Sequence, residues 1–477
     1  MSIVFDALRL GAVALDVVAA AQATPQAIAS RQKARLAALL GAALKGSALY
    51  RELLGGHAGT KMPLEALPVT NRHQLMQRFG DWVTDSRLEL SQLRAFTADP
   101  ANIAQPFLGK YLVWESSGTT GEPGIFIQDA RAMAVYDALE ALRRSTPRPL
   151  QRWFDPLLLA ERIAFVGATD GHFASFVSMQ RLHQLNPWSA QSLQCFSIVQ
   201  PVAALVEQLN AFAPTIIATY PTAAALLADE AQRGSLRLGL QELWTGGETL
   251  TASVRRRVEQ CLGCAVRNSY GASEFLTVGW ECRAGNLHAN TDWVILEPVD
   301  RHHRPVPAGV ASASVLLTNL ANYVQPLIRY DIGDQITIGA EPCACGSPLP
   351  VIEVRGRIDE SLVMSAADGR SVTLLPLALT TVLEDDAGVF DFQLRQRDAH
   401  TLVLRLGFGG AAAVEAAPRC CAALQAFAAR QGLPALRLLT ELGQPIAMGR
   451  SGKVQRVVAA ARHGHASDPV RHRHASP

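Results

Sequence analysis

The chain is 477 residues long and carries 44 Lys and Arg against 42 Asp and Glu, a formal net charge of only +2. That balance excludes a nucleic-acid binder working through a broad basic surface. With 49% hydrophobic and 18% charged residues, and with 36 Gly and 26 Pro near ordinary usage, the bulk of the chain is neither disordered nor fibrous. At roughly 100–200 residues per domain, the length predicts two to four domains, or one large domain with a smaller appendage.

Asp6, Arg9 and Asp16 interrupt the apolar N-terminal stretch, so no secretory signal is expected. No uninterrupted run of about 18 apolar residues occurs, so no membrane span is expected either. The eight cysteines then point to a reducing, cytoplasmic compartment, in which thiols bind metal or are simply buried rather than forming disulfides. Residues 1–60 read as helical, with apolar positions recurring at three- and four-residue spacing around Leu36, Leu39, Leu40 and Ala43. Short apolar runs at 111–114, 163–166, 216–218, 266–269 and 314–318 predict buried strands. Between them the Ala-rich stretches 130–144, 201–212 and 222–233 predict helices, an α/β order with mixed or parallel sheets. A charged turn is expected at 355–360. Beyond it a hairpin turning at Asp368-Gly369, helices at 373–384 and 411–431, and strands at 389–397 and 401–407 predict a small α+β domain. The boundaries are therefore a large domain 1–358, a small domain 359–462, and a tail 463–477, rich in His, Ser and Pro, that is expected to be disordered.

The segment Glu115-Ser-Ser-Gly-Thr-Thr-Gly-Glu-Pro-Gly124 follows the first strand candidate. Its glycines permit unusual backbone conformations, and its hydroxyls and amides suit a polyphosphate. It lacks the Gly-Lys-Ser/Thr ending of a Walker loop, and standing alone it would read as an exposed turn. It does not stand alone: Trp244-Thr-Gly-Gly-Glu-Thr-Leu250, Asn268-Ser-Tyr-Gly-Ala-Ser-Glu274, Leu327-Ile-Arg-Tyr-Asp-Ile-Gly-Asp334, Gly356-Arg-Ile-Asp359 and Gly449-Arg-Ser-Gly-Lys-Val-Gln-Arg456 follow in order. Together these six segments resemble the phosphate, adenine, aromatic-Gly-x-x-Glu, ribose, hinge and lysine segments of the adenylate-forming superfamily of acyl- and aryl-CoA ligases, adenylation domains and luciferases. Ser47-Ala-Leu-Tyr-Arg51, Leu67-Pro-Val-Thr70 and a Cys/His pattern make the chain similar to the phenylacetate-CoA ligase branch.

The resemblance implies attack of a carboxylate on the α-phosphate of ATP, with pyrophosphate leaving, a reaction catalysed by alignment and charge neutralisation. Ser116, Ser117, Gly118, Thr119, Thr120 and Gly121 would grip the phosphates, and Glu274 would hold Mg²⁺, a hard cation that takes carboxylate oxygen. Tyr270 would stack on adenine, next to Gly246, Gly247 and Glu248 and within the run Gly271, Ala272, Ser273. Asp334 would accept the ribose hydroxyls, Arg357 would approach ribose and phosphate, and Asp359 would be the hinge. Lys453 would swing over the α-phosphate as a catalytic residue.

In the family the small domain then rotates and a glycine-containing loop lines the tunnel for a thiol, usually that of coenzyme A. Here Leu362-Val-Met-Ser-Ala-Ala-Asp-Gly-Arg370 carries its glycine late and no basic residue at 363–366. A carrier-protein thiol or an amine therefore stands beside coenzyme A as acceptor, and a non-catalytic nucleotide-binding homologue is a third reading, opposed by intact Glu274, Asp334 and Lys453. Family members often pair, which admits a homodimer; no nucleic-acid or membrane partner is expected.

Cys282 and His288, with Cys343 and Cys345 of a Cys-x-Cys-Gly knuckle, form a donor set suited to a closed tetrahedral zinc site, although the spacing is not that of a standard finger and reads as well as buried free thiols. Members of the phenylacetate-CoA ligase branch carry a similar pattern, which implies a structural ion. Cys261 and Cys264 read as the end of a helix at Gly263, and Cys195, Cys420 and Cys421 as buried thiols. For the acid pocket the candidates are the stretch 171–176 with Phe173 and Phe176, then His183, Tyr220 and 275–278. These suit a hydrophobic or aromatic carboxylic acid, while Phe173, Phe176 or His183 taken singly reads first as core packing.

Overall fold

The structure is a computed structural model that describes residues 4–54, 63–116, 123–144, 161–169, 171–186, 191–198, 200–357, 362–374, 376–446 and 455–460. The chain opens with three helices, α1 (Ala7–Ala21), α2 (Pro25–Gly46) and α3 (Ala48–Leu53). Each starts at a polar cap: the side chains of Asp6, Thr24 and Ser47 accept the backbone N–H groups of Arg9, Ala27 and Tyr50. Leu39, Leu40 and Ala43 are buried, the face expected from their spacing. Short helices α4 (Arg72–Gln77), α5 (Phe79–Trp82) and α6 (Leu90–Ala98) lead into a hairpin of β1 (Leu112–Glu115) and β2 (Ile125–Gln128), followed by α7 (Ala130–Arg143).

Strand and helix then alternate: β3 (Ile163–Gly167), α8 (Ala174–Leu185), β4 (Leu193–Ser197), α9 (Val202–Phe212), β5 (Ile216–Thr219), α10 (Pro221–Gln232), β6 (Glu242–Thr245), α11 (Ala252–Leu262) and β7 (Ala265–Tyr270). Helical crossovers return each strand in the same direction, so β4, β3, β5, β6 and β7 are parallel neighbours. After β7 the connections shorten. The strands β8 (Gly279–Glu281), β9 (Leu287–Ala289), β10 (Val294–Val299), β11 (Ser314–Asn319), β12 (Tyr330–Asp331), β13 (Asp334–Ile338) and β14 (Val351–Arg357) pair antiparallel.

The result is a nine-stranded mixed sheet in the order β13-β14-β9-β8-β7-β6-β5-β3-β4, with a three-stranded sheet β10-β11-β12 beside it. The sheet is thus mixed, parallel in the half that helices interrupt and antiparallel in the other. The charged turn expected at 355–360 is also corrected: Arg355, Gly356 and Arg357 continue β14, opposite β13, and 358–360 lie outside the described residues. Charge there marks an edge-side strand, since β13 is the outermost strand of the sheet and β14 the next.

The C-terminal part comprises β15 (Leu362–Ser365) and β16 (Ser371–Leu374), α12 (Pro376–Thr381) running into a π-helical turn at Val382–Asp386, then β17 (Phe392–Gln396), β18 (Thr401–Leu406), α13 (Gly410–Arg430), β19 (Arg437–Glu441) and β20 (Val457–Val458). Gly369 turns the first hairpin at φ +81°. The helix expected from 373 begins instead at Pro376, because 371–374 pair with β15 and a proline, lacking an N–H, suits the first helical turn. One hydrophobic cluster draws on buried residues between Val4 and Ile352, and another on residues between Leu362 and Val457. A third, from Ala164 to Val266, lies on the parallel half of the large sheet.

Candidate functional site

The carboxyl ends of the parallel strands carry the segments singled out from the sequence. Past β3 the chain runs to Gly171–Phe176, past β5 to Tyr220, past β6 to Gly246, Gly247 and Glu248, and past β7 to Gly271 and Glu274. In open α/β sheets this edge is where the crevice for a ligand forms. The β1–β2 hairpin joins the same edge. Glu115 donates its N–H to the carbonyl of His172 at 2.7 Å. Ser116 donates its N–H to the carbonyl of Gly124 at 2.8 Å and accepts the Gly124 N–H on its Oγ at 2.8 Å. These two bonds close the neck of the loop whose tip, including Ser117, Gly118, Thr119, Thr120 and Gly121, lies outside the described residues.

Across the crevice, β13 begins at Asp334 and β14 ends opposite it at Arg357. The Tyr270 hydroxyl, at the end of β7, donates to Asp334 Oδ2 at 2.5 Å, joining two residues 64 apart in sequence. Glu274 is only 9% exposed. Tyr330 donates its hydroxyl to Glu274 Oε1 at 2.9 Å, and Asn319 Nδ2 donates to the Glu274 carbonyl at 2.9 Å. Trp114 Nε1 donates to the Ser273 carbonyl at 2.9 Å, tying β1 to the same turn. Gly271 is forced by packing, since a Cβ there would lie 2.1 Å from the Leu276 carbonyl oxygen. At Gly246 a Cβ would meet Ser269 Oγ at 2.9 Å, and Gly247 has φ +77°. Glu248 accepts both the N–H and the hydroxyl of Thr222, at 3.1 and 2.8 Å, which ties its carboxylate to the start of α10.

The pocket candidates divide. Phe173 and Phe176 are buried at the start of α8, and Tyr220 is buried with its hydroxyl 3.4 Å from the Ala168 N–H. His183 is set apart, its Nε2 engaged with the carbonyl of Leu193 in β4, so the structure gives it a tie between α8 and the sheet edge rather than a place with the others. His172 is fully buried against Phe96, 5.8 Å between ring centroids, and burial lowers its pKa, keeping the ring neutral. Lys453, Asp359 and the tail 463–477 lie outside the described residues, as does the side chain of Arg357.

A second constellation lies at the far end of β8 and β9. Cys282 follows β8, His288 sits on β9 opposite Trp280, and Cys343 and Cys345 come from the connection between β13 and β14. Their donor atoms all lie within 4.8 Å of one another. Cys282 and Cys343 sulfurs are 3.8 Å apart, and Cys345 Sγ is 3.3 Å from His288 Nε2. A tetrahedron with metal–sulfur bonds of about 2.3 Å has sulfur–sulfur edges of about 3.8 Å, so the donors fit zinc. His288 Nδ1 bonds the Leu349 carbonyl at 2.8 Å, which orients Nε2 toward the thiols. N–H groups of Asn286, Cys345 and Ser347 point at the sulfurs, and Gly346 turns the knuckle at φ +84°. The hydrogen bond from the Cys345 N–H pulls the Cys343 thiol down to about 6.

The other thiols behave more simply. Gly263 caps α11 at φ +63°, as the helix-end reading of Cys261 and Cys264 requires. Cys420 is buried, whereas Cys195 and Cys421 are half-buried rather than fully so; burial still pushes the Cys195 thiol up to about 12.

Residues 111–313 match the model of the AMP-binding enzyme family. That stretch contains the loop neck, the parallel strands and the Tyr270–Glu274 turn. The phenylacetate-coenzyme A ligase of Thermus thermophilus is 31% identical over 182 residues, 36% of this chain and 39% of that protein. Protein CapK of Staphylococcus aureus is 26% identical over 138 residues, 28% of this chain and 29% of that one. The matched stretches therefore span well under half the length of these relatives. Among solved structures, 2-hydroxyisobutyryl-CoA ligase in the postadenylation state, in complex with R3-HIB-AMP, superimposes with a TM-score of 0.63 at 20% identity, covering 90% of this chain and 89% of the other. The two chains share a fold.

Sequence reasoning missed the anchors of the site. Nothing in the spacing shows that Tyr330 meets Glu274, that Trp114 reaches Ser273, or that Thr222 holds Glu248. Each joins segments 26 to 159 residues apart. Tyr330 lies within the Leu327–Asp334 segment, and its neighbour Arg329 is held in a buried pair with Glu297, which packs this segment against β10.

Proposed function

We propose that this protein activates a hydrophobic, aryl or arylalkyl carboxylic acid as its acyl-adenylate with Mg·ATP, releasing pyrophosphate, and passes the acyl group to the thiol of coenzyme A. The Tyr270–Asp334 contact carries the reading, because it sets an aromatic face and a fixed carboxylate side by side at the carboxyl edge of the sheet, as an adenosine requires. Asp334 accepts the ribose hydroxyls, and Gly246 and Gly247 let the backbone approach the base. The loop closed at Ser116 and Gly124 receives the phosphates, with Arg357 on their ribose side. Glu274, fixed by Tyr330, would hold Mg²⁺, which neutralises charge on the phosphates when bound. Lys453 is assigned to the α-phosphate, and Asp359 to the hinge between a large domain 1–358 and a small domain 359–462. Phe173, Phe176 and Tyr220 form the apolar wall for the acid. Cys282, His288, Cys343 and Cys345 would hold a zinc ion with no open position, fastening the 343–349 connection to β8 and β9.

An ATP–pyrophosphate exchange screen over aromatic and aliphatic acids tests the first half-reaction. Exchange with at least one acid, abolished in Lys453→Ala, is the expected result; no exchange across the panel would leave the fold as a nucleotide-binding scaffold. The acceptor is decided by comparing coenzyme A, an acyl-carrier protein and amines for stimulated AMP release. The first is expected to act. Stimulation only by a carrier protein or amine would accord with the absence of a basic residue at 363–366.

A further inference from the structure

Glu384 lies in the π-helical turn that follows α12, and its side chain is fully buried. A buried carboxylate is costly unless its lone pairs are filled by donors. Here three fill them, and they come from two stretches of chain far apart in sequence. Thr251 Oγ1 donates to Oε2 at 2.5 Å and Ser253 Oγ donates to the same oxygen at 2.8 Å. The Arg456 guanidinium donates to Oε1 and, through its other nitrogen, to the carbonyl of Phe390. Thr251 is the residue directly after the Trp244–Leu250 segment and caps α11, accepting the Val254 N–H on its hydroxyl. Arg456 is the last residue of the lysine segment, three positions after Lys453. One carboxylate therefore links the end of the segment assigned to adenine with the end of the segment assigned to the α-phosphate.

The surroundings reinforce the link. Phe390 packs on the cluster that covers the parallel half of the large sheet. The guanidinium of Arg257, on α11, lies 4.7 Å from the centre of its ring, and Arg257 is itself held by Asp229 of α10. The Arg456 guanidinium sits over Phe392, 4.4 Å from the ring centre. The Phe390 carbonyl and the Phe392 ring thus hold the guanidinium that meets the carboxylate, and the start of α11 adds the favourable end of its helix dipole.

We infer that Glu384 is a positioning residue for adenylation: by joining Thr251 and Ser253, at the end of the segment assigned to adenine, to Arg456, it fastens the C-terminal part to the carboxyl edge of the large sheet. The inference rests on the proposed function. Its consequence is selective, since the proposed function assigns the lysine segment to the α-phosphate in the first half-reaction and gives it no part in transfer to the thiol.

The test compares wild-type protein with Glu384→Gln, which keeps size but loses charge, and with Ser253→Ala, which removes one donor. With the acid that best supports wild-type exchange, Glu384→Gln is expected to slow pyrophosphate exchange about tenfold, the scale of one charge-assisted hydrogen bond. Ser253→Ala is expected to slow it about threefold. Transfer from the chemically made acyl-adenylate to the accepted thiol should stay within twofold in both, and small-angle scattering should show a larger radius of gyration for Glu384→Gln. Exchange within twofold of wild type, or exchange and transfer falling together with the melting temperature, would overturn the clamp. Absence of exchange in the wild-type protein would instead overturn the functional reading itself, and unchanged scattering would show that Glu384 does not hold the two parts together.

Discussion

Asp334 and Tyr270 show how a single contact turns two ambiguous residues into a site. An Asp after Gly is usually a turn residue, and a Tyr at a strand end usually packs; here the phenol and the carboxylate meet at 2.5 Å on the sheet edge. If Asp334 holds ribose, Asp334→Asn removes a charged acceptor worth roughly 1.5–3 kcal/mol. The KM for ATP should rise about ten- to hundredfold with kcat less affected, measured by pyrophosphate exchange at saturating acid. Tyr270→Phe keeps the ring and loses only the hydroxyl, so its KM should rise by about threefold or less. Equal effects of the two would mean that Asp334 serves only to hold Tyr270. The six motif segments were legible in the sequence because each carries its own glycines and polar residues in a short run. The residues that brace them were not, because a hydrogen bond such as Tyr330 to Glu274 leaves no local pattern.

At the scale of elements, the switch from parallel to antiparallel pairing at β7 organises both constellations. Parallel strands deliver their carboxyl ends to one edge, where the segments assigned to the nucleotide gather. The short antiparallel strands β8 and β9 then carry Cys282 and His288 back to the connection bearing Cys343 and Cys345. The Cys/His set was legible as residues, but its closure depends on β9 pairing with both β8 and β14, a register that spacing does not encode. Purified protein grown with ample zinc is expected to contain about one equivalent, by elemental analysis. Cys345→Ser should lose the ion and lower the melting temperature while leaving the circular-dichroism signature of the mixed sheet. Zinc-free wild-type protein of unchanged melting temperature would show that the thiols need no metal.

At the scale of the molecule, the N-terminal helices are fastened to the core through buried charge. Arg143 of α7 pairs with Asp292 at 2.6 Å, with the two side chains 3% and 0% exposed. Arg35 of α2 donates to the Asp292 carbonyl and lies 3.5 Å over the Trp293 ring, while Asp16 of α1 binds both Arg31 and Arg35. Burial raises the Asp292 pKa and lowers that of Arg143, and each partner's charge opposes the shift. Removing one partner leaves the other charge buried alone, at a cost of about 3–5 kcal/mol. Asp292→Ala should therefore lower stability by that amount in urea unfolding, with an unchanged m-value, although the residue lies outside the proposed site. A loss below about 1 kcal/mol would show that water reaches the pair.

The near-neutral sequence by itself determined the alternation of strand and helix, the small C-terminal hairpin and helices, and the identity of the residues that could meet a nucleotide or a metal. Those properties are local, since hydrophobic period, glycine placement and donor chemistry are all written in short windows of chain. Only the tertiary structure decided where the sheet changes direction, that β14 continues through Arg355, that His183 ties α8 to β4, and that Glu384 joins Thr251 to Arg456. Such pairings bring together groups up to about two hundred residues apart, and their partners are selected by packing and by the need to satisfy buried polar atoms, neither of which a short window of sequence can express.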